Sequence, residues 1–238
     1  MRIDTHCHVD MFDDPIGMAR AYEEAETVCV LTTILPSHYQ AALPHLKPFP
    51  AIHPAIGIHP LRAREGRDEI GLFHNLSNSV EFIGEIGLDL SADGRKTGAL
   101  QQENLRQILP VVAHGKFVTV HCRNAHNELS MLLDEYSVGP VCFHYFIGGP
   151  KDAAMLSERG HYFSVNHRML SGKHQCIIDA ISKSHILAET DGPFLTKRPL
   201  AALRKTYLSL SDAWGAPVSA VEEQLEKNFQ ACRTRKNF

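Results

Sequence analysis

The chain has 238 residues, 44% of them hydrophobic and 21% charged, with a formal net charge of −3. These values exclude a disordered, fibrous or strongly basic protein, and the length suits either one large domain, such as an α/β barrel, or two small ones. Because the overall charge slightly repels phosphate, a nucleic-acid partner would have to be attracted by a local basic patch or by bound metal. Fifteen histidines are the unusual count. The six cysteines, Cys7, Cys29, Cys122, Cys142, Cys176 and Cys232, form no C-x-x-C pair in a chain too long to need disulfide staples. Reduced thiols and a cytoplasmic location are therefore expected. No apolar h-region accompanies Arg2 and Asp4 and no run of about 18 apolar residues occurs, so neither secretion nor membrane insertion is expected.

Short β-rich runs alternate with helical patterns along the whole chain, the mark of successive βα units. Arg2 to Thr5 reads as a first strand. Asp14-Pro15 is a cap and first-position pair for a helix to about Glu26, and Thr27 to Thr33 is a strand buried on both faces. A Pro-broken helical stretch, Pro36 to Pro50, precedes a third strand, Ala51 to Ile58, which ends at His59-Pro60. Helical residues from Asp68 to Leu76 lead to a fourth strand, Val80 to Gly87. The amphipathic helix Leu100 to His114 delivers a fifth, Phe117 to Val120, closed by His121. Asn127 to Tyr136 is helical before the sixth strand, Val141 to His144, and Asp152 to Arg159 before the seventh, His161 to Val165. His185 to Glu189 is the eighth. Pro199 to Trp214 and Ser219 to Arg233 read as closing helices, with Ser219 as N-cap and Glu222 at the capping-box position. Nothing interrupts the alternation, so a single domain over residues 1–238 is expected.

Eight βα units predict an α/β fold of the TIM-type (β/α)8 barrel, whose functional residues come from the C-terminal strand ends. The polar candidates fall there. His6 and His8, two apart and so on one side of a strand, follow the first strand and offer half of a divalent-metal site. Glu85 ends the fourth, His121 the fifth and His144 the sixth, and Asp191 follows the eighth. Each alone has an ordinary structural explanation, such as a hydrogen-bonded core histidine or, for Glu85 between Gly84 and Gly87, a turn. Six in register at one barrel mouth are hard to explain that way.

The segments Asp4-Thr5-His6-Cys7-His8, Gly84-Glu85-Ile86-Gly87-Leu88-Asp89, His121-Cys122-Arg123, His144-Tyr145-Phe146 and Glu189-Thr190-Asp191-Gly192-Pro193-Phe194 resemble the successive motifs of the TatD-type metal-dependent deoxyribonucleases, over nearly the whole chain. Through Gly160-His161-Tyr162-Phe163-Ser164-Val165 and the Thr190-Asp191-Gly192-Pro193-Phe194 ending, the chain most resembles the TatD-like component of Qat anti-phage systems. The resemblance implies that His6, His8 and Asp191 hold one metal, that His121 and His144 hold a second, and that Glu85 bridges them. It implies catalytic roles for Asp191 and Glu85, phosphate contacts for His59 and Arg123, DNA as substrate, and proteins of a Qat-type defence system as partners. Two divalent ions are implied, and the mixed imidazole–carboxylate set suits Mg, Mn or Zn. Glu189 is expected to orient a histidine, and Cys142, on the face of His144, to be a packed thiol. Leu90 stands where many members have tyrosine and Tyr145 where cysteine or glycine is usual. The loop Ser91 to Gly98 and the tail after Asn228-Phe229 are also unusual, which puts substrate grip in question.

Three functions follow as alternatives. One is a divalent-metal nuclease acting on DNA ends. A second is a small-molecule amidohydrolase on the same barrel, although such enzymes usually bridge their metals with a carboxylated lysine where this chain has Glu85. The third is a weakly active binding subunit of a defence complex, which retention of the six ligands disfavours.

Overall fold

In the computed structural model, which describes residues 1–112 and 115–234, the strands pair in parallel and in chain order. β1 (Arg2–Cys7), β2 (Thr27–Thr32) and β3 (Ile52–Ala55) form one arc, and β4 (Phe82–Asp89), β5 (Phe117–Arg123), β6 (Cys142–His144), β7 (Tyr162–Val165) and β8 (Ile186–Ala188) form another. Two seams join the arcs. At the first, Ile56 N donates to the Phe82 carbonyl at 3.2 Å and Gly84 N to the Ile56 carbonyl at 2.8 Å. At the second, Asp191 N donates to the His6 carbonyl at 2.9 Å and His8 N to the Gly192 carbonyl at 2.7 Å. The result is the (β/α)8 barrel that the alternation predicts.

The helices are α1 (Pro15–Glu24), α2 (Pro36–Leu46), α3 (Ala63–Asp68), α4 (Ile70–Ser77), α5 (Gly98–Val112), α6 (His126–Glu135), α7 (Pro150–Glu158), α8 (Gln175–Asp179), α9 (Pro199–Trp214) and α10 (Val218–Thr234). Asp14 caps α1 as expected, its Oδ1 accepting from Gly17 N at 2.8 Å with Pro15 at the first position. Other boundaries differ for identifiable reasons. The expected helix Asp68 to Leu76 is α4, starting at Ile70, and the short α3 ahead of it lies outside the expected elements; between them the Glu69 carboxylate accepts from the backbone N and the hydroxyl of Ser37, each at 2.8 Å. The short α8 has no counterpart among the expected elements. Ser219 is not an N-cap, because the Pro217 carbonyl already accepts from Ala220 and Val221 and the helix starts ahead of it. Glu222, freed of a capping role, meets Arg2 Nε at 3.0 Å. The expected end of the fifth helix, Ala113-His114, lies outside the described residues.

The barrel floor explains why only one end is available for a site. Ile3, Val30, Ala55, Phe82, Phe117, Cys142, Tyr162 and Leu187, one from each strand, form a buried cluster closed by Phe229 and Cys232 of α10. Phe82, Phe117 and Phe229 pack with ring centroids 5.3–6.3 Å apart, a spacing at which aromatic pairs gain beyond area burial. The floor is apolar, so the polar residues collect at the opposite, C-terminal end. Among the described residues no helix is long and apolar enough to cross a membrane.

Candidate metal centre

β4 is buried along its whole length, and Glu85 sits at its middle. Glu85 N donates to the Thr33 carbonyl at 3.1 Å, while Thr33 N donates to the Gly84 carbonyl at 3.2 Å. Gly57 makes this approach possible: any Cβ there would strike the backbone N and O of Glu85. The carboxylate so placed is ringed by imidazoles. Oε1 lies 2.6 Å from His121 Nδ1 and 3.1 Å from His144 Nε2. Oε2 lies 3.4 Å from both His6 Nε2 and His8 Nε2, and 3.5 Å from His59 Nε2.

Surrounding groups aim these rings. Thr119 Oγ1 bonds His6 Nδ1 at 2.9 Å, which turns Nε2 to the centre, where that buried atom has no hydrogen-bond partner. The rings of His6 and His144 stack with centroids 3.8 Å apart. His144 Nδ1 meets Glu189 Oε2 at 3.3 Å, and Glu189 is held by Ser164 Oγ at 2.5 Å and Asn166 Nδ2 at 3.0 Å. It is thus an orienting carboxylate, as expected. Asp191 Oδ1 stands 3.7 Å from His8 Nε2, and its backbone has φ 47°, a left-handed conformation that costs a non-glycine residue on the order of 1–3 kcal/mol. The hydrogen bond from Asp191 N to His6 O holds it there. His59 Nδ1 accepts from Leu61 N at 3.1 Å, which leaves Nε2 directed at Glu85. Arg123 is exposed at the end of β5, two residues beyond His121, with no side-chain bond among the described residues.

One contributor has no role in the sequence reading. Asp89 Oδ2 lies 2.9 Å from His121 Nε2, and its Oδ1 accepts from Ser91 N at 2.9 Å and from the Ser91 hydroxyl. A signal existed: four residues beyond Glu85 on the same strand, Asp89 shares its face. Asp4 is a second such residue. Its carboxylate accepts from Tyr22 OH and Thr190 Oγ1 at 2.6 Å each, tying β1 to the turn that carries Asp191.

Charge follows this geometry. Burial by itself would raise the Glu85 pKa, but His59, His144, His6 and His121 hold it well below the usual carboxylate range. Burial also opposes the charged form of His144, yet Glu85 and Glu189 raise it well above an ordinary histidine. For His6, burial and then the neighbouring His144 lower the value strongly. Burial brings His59 down to about 4 and pushes Asp191 up to about 6. The centre is thus a buried carboxylate among histidines of unequal basicity.

The donor set fits divalent metal. Three groups of potential ligand atoms, His6 with Glu85 and His144, His6 with His8 and Asp191, and His59 with Glu85 and His121, each lie within 4.8 Å of one another. Imidazole nitrogen and carboxylate oxygen are ligands for such ions, and the orphaned His6 Nε2 is already turned inward.

Comparison with known proteins agrees over the same span. The family profile for TatD related DNase matches residues 3–233. Human deoxyribonuclease TATDN3 is 25% identical over 251 residues, covering 96% of this chain and 92% of its own. The 3'-5' ssDNA/RNA exonuclease TatD of Cronobacter sakazakii is 28% identical over 160 residues, which are 63% of this chain and 60% of that protein. The crystal structure of YJJV, a TatD homolog from Escherichia coli, superposes with a TM-score of 0.82 at 22% identity, covering 98% and 97% of the two chains. The matched span takes in every strand of the barrel and every histidine and carboxylate gathered at its mouth, and this chain belongs to the TatD-related DNase family.

Proposed function

We propose that this chain is a divalent-metal-dependent nuclease that hydrolyses phosphodiesters at DNA ends, working as a single barrel domain over residues 1–238 in the cytoplasm. One observation carries the proposal: Glu85 sorts the imidazoles between its two oxygens, His121 and His144 on Oε1, His6 and His8 on Oε2 with His59 beside them. His6, His8 and Asp191 would then hold one ion and His121 and His144 a second, with Glu85 available to both. The donor set accepts Mg, Mn or Zn. When bound, such a pair supplies an activated water and offsets the charge that develops on the phosphodiester. The remaining steps belong to the chain's own groups. Asp191, beside His8 and partly basic through its burial, orients the attacking water and takes its proton. Glu85 stays ionised at working pH because the histidines hold its charge. The exposed Arg123 guanidinium receives a phosphate, a task suited to its planar donor fork, and His59, whose Nε2 is directed inward beside Glu85, supplies a second phosphate contact. The likeness of Gly160 to Val165 to a Qat component supports a place in anti-phage defence beside Qat-type partner proteins.

The test is digestion of 5′- and 3′-labelled single- and double-stranded DNA and RNA across a metal series, with cyclic amides alongside. Chelation is expected to abolish cleavage, and Mg or Mn to restore it, with products shortened from one end. Substantial cleavage in excess EDTA after metal-free purification, or turnover of cyclic amides in place of DNA, overturns the proposal.

A further inference from the structure

We infer that Phe194 is a stacking platform for the base beside the scissile phosphate of a single strand, and that Arg168, Lys197 and Arg198 bind the phosphates leading away from it. The inference rests on the nuclease function proposed above and names the form of substrate that this site takes.

Phe194 is 60% exposed and is the one aromatic ring among the described exposed large hydrophobic residues, the others being Met, Ile and Leu. Water contact is unfavourable for a phenyl ring, yet Phe194 is held in it by a rigid turn. Leu195 N donates to the Asp191 carbonyl at 2.9 Å, and a Cβ on Gly192 would press on Phe12, Thr196 O and Cys7. The ring stands nearly perpendicular to His8 with centroids 5.0 Å apart, so a base lying on its free face is adjacent to the ligand cluster.

Charge along the segment that follows the turn has one sign. Between Asp191 and Asp212 the chain has Lys197, Arg198, Arg204 and Lys205 and no acidic residue, against a net charge of −3 for the whole. All four are exposed, and none is ion-paired among the described residues. Arg168, just past the end of β7, reaches across so that its Nη2 donates to the Leu195 carbonyl at 2.7 Å, which brings a further cation to the turn. An exposed ring followed by a basic track is how proteins hold single strands: every base has a π-face to stack, and the cations follow the backbone. In a duplex the base beside the scissile phosphate is paired and stacked on its inner neighbour, and drawing it onto the ring costs that pairing, so the platform favours single-stranded or frayed ends.

The test measures binding of end-labelled oligonucleotides to the metal-loaded protein, with charge-preserving phosphorothioate linkages at the ends to prevent turnover. The terminal nucleotide is either natural or replaced by a propanediol spacer that lacks a base. Phe194→Ala is expected to weaken binding of the natural strand roughly 5- to 150-fold, the range for removal of one base–aromatic stack. Phe194→Tyr should stay within about twofold, because the π-face is kept. The spacer strand should bind wild type and Phe194→Ala alike. Lys197→Ala/Arg198→Ala should lower the slope of log affinity against log salt by about 0.7 for each phosphate that is no longer neutralised. An equal loss with the spacer strand would show that Phe194 only steadies His8. That result, unchanged binding by Phe194→Ala, or duplex binding as tight as single-strand binding each overturn the inference. Hydrolysis of bis(p-nitrophenyl) phosphate, a diester without a base, by the wild type separates the two proposals. If this diester and DNA are both left intact the nuclease function fails, whereas cleavage with no role for Phe194 removes the platform alone.

Discussion

His121 Nε2 lies 2.9 Å from Asp89 Oδ2 while its Nδ1 faces Glu85, so the ring is clamped between two carboxylates of the neighbouring strand. Burial would raise the Asp89 pKa, but the hydrogen bonds from His121 and Ser91 bring it down to about 2, so it is ionised under all ordinary conditions. Asp89→Asn keeps the shape and removes the charge that fixes the ring. It is expected to lower metal affinity about 10- to 100-fold with little change in Tm, as read by chelator competition. Unchanged affinity would leave Asp89 a loop anchor for Ser91.

Glu85 contacts every histidine of the centre, so Glu85→Ala should lose both ions together, whereas His144→Ala should mainly weaken one. Elemental analysis of purified protein decides it. Full metal content in Glu85→Ala would mean that the bridge is misassigned.

Asp191→Asn preserves size and one acceptor oxygen but not basicity. Turnover is expected to fall by roughly 10²-fold or more, the scale of a lost general base, while DNA binding survives. Metal content and single-turnover cleavage on one preparation distinguish a lost base from a lost ion. Near-normal cleavage with full metal would remove Asp191 from the chemistry.

Arg123→Ala should raise KM more than it lowers kcat and reduce the dependence on salt, because the exposed guanidinium acts on substrate capture and not on folding. Identical kinetics across a salt series would return Arg123 to an ordinary surface residue.

Away from the site, burial brings His161 down to about 4, and its neutral Nδ1 accepts from Val141 N at 3.3 Å. With a folded pKa below the unfolded value of about 6.5, His161 binds more proton when unfolded between these limits. Its contribution is therefore complete above about pH 6.5 and is lost as pH falls toward 4, by at most about 3 kcal/mol. His161→Gln should flatten the acid limb of stability measured by denaturant unfolding from pH 7 to 4. An equally steep limb in the variant would assign it to other groups.

Much of the fold was legible in the sequence because parallel βα units are encoded locally. The unbroken apolar run of β2 announces a strand buried on both faces, and Pro15, Pro36, Pro150 and Pro199 mark helix starts where a missing N–H costs nothing. Local order also places His6, His8, His121, His144 and Asp191 toward strand ends, whereas Glu85, expected at the end of the fourth strand, lies at the middle of β4 because that strand runs on to Asp89. Closure of the barrel then brings them together. Tertiary structure alone decided what depends on residues far apart in the chain. The division of the α3–α4 region goes with a bond from Ser37 to Glu69, and the inward turn of His59 and the clamp of Asp89 on His121 need the strands already side by side. A register shift in β1 between Asp4 and Cys7 breaks simple alternation and sends Asp4 to Tyr22 and Cys29 instead of to the metal ligands. Periodicity reports the direction of a side chain along one strand, but its partner is set by how neighbouring strands slide and close, a cooperative property of the whole barrel.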